Sequence, residues 1–142
     1  MSRTQLTVED LMSTALVTAR LGDSVADVDF EMRLASVRHI PIVDRQNRLV
    51  GIVSQRDILR ALARSKTGSV PMREVMSARV VTVQTSTPAA DAAEQMLQRK
   101  IGSLPVLGED GQLVGLVTES DFVHLARNLL LAPPVRQRAR AG

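Results

Sequence analysis

The sequence contains no cysteine, no tyrosine and no tryptophan, and only two phenylalanines, Phe30 and Phe122. The absence of thiols excludes disulfides, zinc fingers, iron–sulfur clusters and cysteine nucleophiles. With aromatic residues at 1%, no platform exists on which bases could stack, which argues against the usual single-strand and RNA-binding modules. Two histidines far apart in sequence, His39 and His124, are a poor basis for a metal site. No apolar run approaches the roughly 18 residues of a transmembrane helix. The N-terminal MSRTQLTVEDLMS lacks the apolar stretch of a signal peptide. The expectation is therefore a cytoplasmic protein with no membrane association.

Hydrophobic residues nevertheless make up 44% of the 142 positions. That is enough for one domain, or two small ones sharing a core, and the core must be aliphatic. The net charge of +3 belongs to one place: Arg136, Arg138 and Arg140 lie in a C-terminal stretch without acids, and the remainder is neutral. Such a body is not a basic nucleic-acid surface. The stretch 133–142 is expected to be a flexible arginine-containing tail.

A shift of 64 residues superposes the two halves without a gap. Leu11-Met12-Ser13 falls on Val75-Met76-Ser77, Ile40-Pro41-Ile42-Val43 on Leu104-Pro105-Val106-Leu107, and Leu49-Val50-Gly51-Ile52-Val53-Ser54 on Leu113-Val114-Gly115-Leu116-Val117-Thr118. Each half reads as a short helical turn (Val8–Met12; Arg73–Met76), a short β segment (Leu16–Ala19; Val80–Val83), a helix, a hairpin and a last helix. Ser24 with Asp27 has capping-box spacing, and Thr87 is expected to cap the matching helix, with Pro88 at its first position. The hairpins are His39–Val43 with Leu49–Val53, and Leu104–Leu107 with Leu113–Val117. Lys66–Pro71 reads as a linker. The fold class is thus α/β (α+β): two β-α-β-β-α repeats, 1–66 and 67–132, related by a pseudo-twofold axis and packed sheet to sheet, with two clefts where they meet.

The most informative signature is Gly51-Ile52-Val53-Ser54-Gln55-Arg56-Asp57, repeated as Gly115-Leu116-Val117-Thr118-Glu119-Ser120-Asp121. A strand ends on a hydroxyl residue and a helix starts with aspartate three residues later. The spacing is that of a helix cap. The same geometry presents backbone N–H groups and a positive dipole end to an anion such as phosphate, while a carboxylate there can accept from the vicinal hydroxyls of a ribose.

The ordered set of V-x-D-L-M-S and R-E-V-M-S openings, H-I-P-I-V-D and S-L-P-V-L strands, and G-I-V-S-Q-R-D and G-L-V-T-E-S-D helix starts resembles a tandem pair of cystathionine β-synthase (CBS) domains, a Bateman module. The resemblance covers roughly residues 6–130. It implies a regulatory module with no required cofactor. Its ligand would be an adenosine-type nucleotide (AMP, ADP, ATP or S-adenosylmethionine) held between the repeats, and it would act as a homodimer on a separate regulated partner. Carried over by motif, Asp57 and Asp121 would hold ribose hydroxyls and Ser54 and Thr118 would contact phosphate or nearby polar atoms. Leu16 to Thr18 and Val80 to Thr82 would line the adenine pocket, with Ile40-Pro41 and Leu104-Pro105 as its apolar wall.

Where charge is concerned the copies differ: Arg38, His39 and Arg56 match Gly102, Ser103 and Ser120. With each cleft lined by its own copy, the first would be the better phosphate site, and a bound anion would raise the pKa of His39. The methionines at helical spacing are expected to be core filler. The apolar stretch Phe122–Leu131 exceeds what one monomer buries, so part of it is expected to face a second subunit. No nucleophile–base constellation or phosphate loop is present, so no enzymatic activity is expected. The competing reading is a dimerisation scaffold or nucleic-acid adaptor without a nucleotide ligand.

Overall fold

The computed structural model describes residues 5–131; the arginine stretch 133–142 lies outside them. The element order is α1 (Val8–Leu11), α2 (Val25–Ala35), β1 (His39–Val43), β2 (Leu49–Ser54) and α3 (Gln55–Arg64). A 3₁₀ turn (Met72–Glu74) then leads to β3 (Val83–Gln84), α4 (Ala89–Arg99), β4 (Ser103–Leu107), β5 (Leu113–Thr118) and α5 (Glu119–Leu131). Both expected hairpins form. β1 pairs antiparallel with β2 and β4 with β5, in the same register one repeat apart (Ile40 on Val53; Leu104 on Val117). β3 adds parallel to β4. Its counterpart in the first repeat is reduced to one parallel bridge, Ala19 to Ile42, so the apolar segments Leu16–Thr18 and Val80–Thr82 run unpaired.

The repeat extends to backbone detail. Asn47 and Gly111 hold the hairpin turns at positive φ (62° and 79°), and each turn is closed by an aspartate, Asp44 or Asp110, accepting from a backbone N–H two residues on. The helices α2 and α4 both end on a left-handed residue, Ser36 (φ 56°) and Lys100 (φ 54°), although neither is glycine. Two expected caps differ. Ser24 accepts from Asp27 N–H, whereas Asp27 does not return the bond. Thr87 Oγ1 accepts from Gln84 N–H before the helix starts, and Pro88 occupies the cap itself. The segment read as a linker is tied down: Val70 and Gly68 accept from the first N–H groups of α2 at 2.8 and 3.0 Å.

Two aliphatic cores result, and they do not follow the halves of the sequence. Val25, Val28, Met32, Ile40, Ile42, Val53 and Ile58 pack with Met72 in the first. Met72 lies beyond the boundary expected at residue 66. Val8, from the very start of the chain, packs in the second with Val83, Ala92, Met96, Leu104, Val106 and Val117. Backbone bonds fix the exchange. Val8 N–H donates to Thr87, Ser13 and Leu116 exchange both bonds at 2.9 and 3.0 Å, and Ser77 and Ile52 do the same at 2.9 Å each. Each repeat thus carries the opening segment of the other. Met32, Met72 and Met96 are buried in these cores, as expected of filler.

Candidate functional site

The crossed opening segments decide what meets what. Past Ser13 the chain returns to its own repeat, where Val17 packs against the first core and Ala19 bridges Ile42; past Ser77 it does the same, with Val81 packing against the second core. Two clefts lie between the repeats. Cleft A, of about 450 Å³, is lined by Leu16 and Val17 with Arg38 and His39 from the first repeat and by Thr118 and Asp121 from the second. Cleft B, of about 660 Å³, is lined by Ser54 and Arg56 from the first repeat and by Val80, Val81, Lys100 and Ser103 from the second. Both volumes suit a small-molecule ligand.

The expected site residues are therefore regrouped. Leu16, Arg38 and His39 face the helix start of the other copy, Thr118 and Asp121, and Ser54 and Arg56 face Val80 and Ser103. The expectation that each cleft is lined by its own copy does not hold: each apolar segment stays with its own repeat, but the helix start across the cleft comes from the other. Four residues expected as the apolar wall sit elsewhere. Ile40 and Leu104 are fully buried, and Pro41 and Pro105 are buried with them, behind the clefts rather than in their lining. Thr82 lines a separate depression beside Arg48 and Leu107, and Thr18 lies on the surface outside both clefts. Asp57 lines a groove between α3 and the 3₁₀ turn, with Arg60, Arg64 and Glu74.

Both helix starts are built as caps. Ser54 Oγ accepts from Asp57 N–H (3.2 Å) and Ser54 N–H donates to Asp57 Oδ2 (2.9 Å); Thr118 N–H donates to Asp121 Oδ2 (2.8 Å). One carboxylate oxygen of each aspartate is thus engaged in holding the helix. Thr7 and Asp10 make the same arrangement on α1 (2.8 Å), outside the lining of either cleft, so the cap by itself does not mark a binding site.

Two cations of cleft B, Arg79 and Lys100, carry no motif in the sequence that marks them as lining. The signal was the comparison of copies, since Arg79 and Lys100 stand where the first repeat has Ala15 and Ser36. His39 is half-buried where the two clefts meet. Burial holds its imidazole below the ordinary 6.5; the carboxylates of Glu119 and Asp57 pull the other way and Arg38 adds to the lowering. Above pH 6.5 His39 is neutral in both folded and unfolded chains. Below it the unfolded chain takes up a proton that the folded chain refuses until its lower pKa is reached, so stability falls as pH drops through that window. Urea titrations between pH 7 and 5 are expected to show this loss, reduced in His39→Gln.

A family model described as CBS domain matches residues 8–64 and 72–128. A crystal structure of an acetoin utilization protein (AcuB) from Vibrio cholerae is 40% identical, with a TM-score of 0.81, over 89% of this chain and 94% of that one. The CBS domain pair of protein MJ0100, in complex with 5′-methylthioadenosine and S-adenosyl-L-methionine, is 28% identical, with a TM-score of 0.82, over 89% and 99%. CBSX2 from Arabidopsis thaliana, in complex with AMP, is 31% identical, with a TM-score of 0.76, over 87% and 98%. The chain spans between 21% and 24% of the length of the first curated relatives it matches, which carry enzyme names. No helix among the described residues is long and apolar enough to cross a membrane.

Proposed function

This chain belongs to the CBS domain family, and from that premise we propose that it is a regulatory module that binds adenosine-type ligands in clefts A and B and passes the bound state to a separate protein. The observation that carries the reading is the crossing. In each cleft an unpaired apolar backbone segment of one repeat faces a hydroxyl-capped helix start of the other. Such a segment offers a flat base apolar side chains and free backbone groups. The helix start offers N–H groups and a dipole end to phosphate, and Asp121 offers a carboxylate to ribose hydroxyls. A ligand so held touches both repeats, and it can shift their relative arrangement to the extent that it binds one arrangement better than another. CBS pairs of known structure hold AMP or S-adenosylmethionine, which supports a ligand of the same chemical class here.

Calorimetric titration of AMP, ATP and S-adenosylmethionine tests the reading. At least one is expected to bind, and Asp121→Ala is expected to weaken binding tenfold or more. The control is Asp10→Ala, which removes a cap of the same kind away from the clefts: it costs about 0.5–2 kcal/mol of stability and leaves affinity unchanged. No heat and no thermal shift with any of the three would leave a scaffold without ligand. The module is further proposed to work as a homodimer, with the exposed Leu59 and Val123 and the end of α5, Leu129–Leu131, covered by a second copy; a monomeric sedimentation coefficient at micromolar concentration would oppose that.

A further inference from the structure

The two clefts adjoin. Arg38, His39, Gly102 and Glu119 line both, forming one wall between them. The wall is built by two equivalent bonds: Gln55 N–H at the start of α3 donates to Arg38 (2.8 Å), and Glu119 N–H at the start of α5 donates to Gly102 (3.1 Å). The positions match under the 64-residue shift, yet their charges do not. Arg38 stands opposite Gly102, and Gln55 opposite Glu119. The wall is also thin. A Cβ on Gly102 would lie 3.4 Å from His39 Cε1 and 3.5 Å from Glu119 Oε1, so the imidazole and the carboxylate flank the same point.

Beyond the shared wall the clefts diverge. Cleft B adds three cations, Arg56, Arg79 and Lys100, and no acid. Cleft A adds a carboxylate, Asp121, and no cation. Relying on the reading of the clefts as adenosine sites, we infer that cleft B is the polyphosphate site and that a di- or triphosphate there closes cleft A to a second one. Each protomer then holds one polyphosphate, and cleft A is left to an adenosine ligand without phosphates.

The physical reason is that one pair of side chains serves two anions. Arg38 and His39 can each turn to one phosphate group at a time. A polyphosphate in cleft B draws both, and its own charge adds to the field. A second polyphosphate entering cleft A then meets Glu119 and Asp121 with no free cation to offset them, across a distance that salt screens only partly. A ligand with no phosphate lacks that repulsion and still has the apolar Leu16–Val17 segment and Asp121 to engage.

Calorimetry on the full chain tests this with two probes, ATP and 5′-methylthioadenosine. ATP is expected to bind at one per protomer, and 5′-methylthioadenosine to bind ATP-saturated protein about as well as free protein. Arg79→Ala with Lys100→Ala is expected to weaken ATP at least tenfold and leave 5′-methylthioadenosine within twofold. Glu119→Gln, which removes the shared carboxylate, is expected to admit a second ATP. Two ATP per protomer of equal affinity in the natural chain, or equal loss of both probes in the double variant, would overturn the inference while leaving the clefts as adenosine sites. No binding of either probe would overturn that reading as well.

Discussion

Replacing Val8 by aspartate is expected to open the second repeat, not the first in which it lies by sequence. Val8 is fully buried and packs with Val83, Ala92, Met96, Leu104, Val106 and Val117. Its backbone is fixed there too, through Val8 N–H to Thr87 and Ala89 N–H to Leu6, both at 2.8 Å. A carboxylate at this point has no cation to meet and leaves an uncompensated buried charge, a change that costs about 3–5 kcal/mol. For a domain of marginal stability that is a large share of the total. Hydrogen exchange locates the damage: the amides of Leu104, Val106 and Val117 are expected to lose more protection than those of Ile40, Ile42 and Val53. Met72→Asp is the mirror experiment, since Met72 is fully buried in the first core, and the order of loss is expected to reverse. Loss confined to the first repeat in Val8→Asp would show that α1 does not pack where the structure has it.

The same exchange explains where the sequence could be read and where it could not. Hairpins, turn residues and helix starts are local. Alternating aliphatic strands around Asn47 or Gly111, and serine or threonine three residues before aspartate, specify themselves within a dozen residues, and the duplication reinforces each one. Sequence reading placed Ser54, Arg56, Thr118 and Asp121 at helix starts for that reason. The crossing is carried by bonds between Ser13 and Leu116 and between Ser77 and Ile52, residues of duplicated motifs that do not specify which copy pairs with which. Without it, the residues sort by repeat, and Arg38 and His39 fall with Ser54 and Arg56 alone instead of with both clefts. Leu16–Thr18 has the β-branched and aliphatic content of a strand, yet only Ala19 finds a partner, because the opening segment is held by the other repeat. Ile40 and Leu104 show the opposite case: apolar residues beside a functional motif suit a cleft wall and a core equally by pattern, and in the fold they are core.

The crossing also leaves two glycines that report on it. Gly115 lies under Met12 and Gly51 under Met76, each methionine coming from the other repeat's opening segment. A Cβ on Gly115 would run into the Met12 side chain alone, with Cγ at 3.0 Å and Cβ at 3.2 Å after the sulfur. A Cβ on Gly51 would meet the Met76 sulfur and also the Ser77 carbonyl oxygen at 3.0 Å. That carbonyl accepts from Ile52 N–H and is held in place. Both Gly→Ala changes are expected to cost about 1–3 kcal/mol by overpacking. The rescue differs. Met12→Ala in the Gly115→Ala background removes the sulfur and Cγ and leaves only the Cβ at 3.2 Å, so most of the loss is expected to return, with a coupling of about 1 kcal/mol or more. Met76→Ala in the Gly51→Ala background leaves the Ser77 backbone where it was, and recovery is expected to be the smaller of the two. Denaturant unfolding of the six variants measures both cycles. Additive losses at Gly115 and Met12 would mean that the two residues do not touch, and the opening segments would then have to be placed on their own repeats.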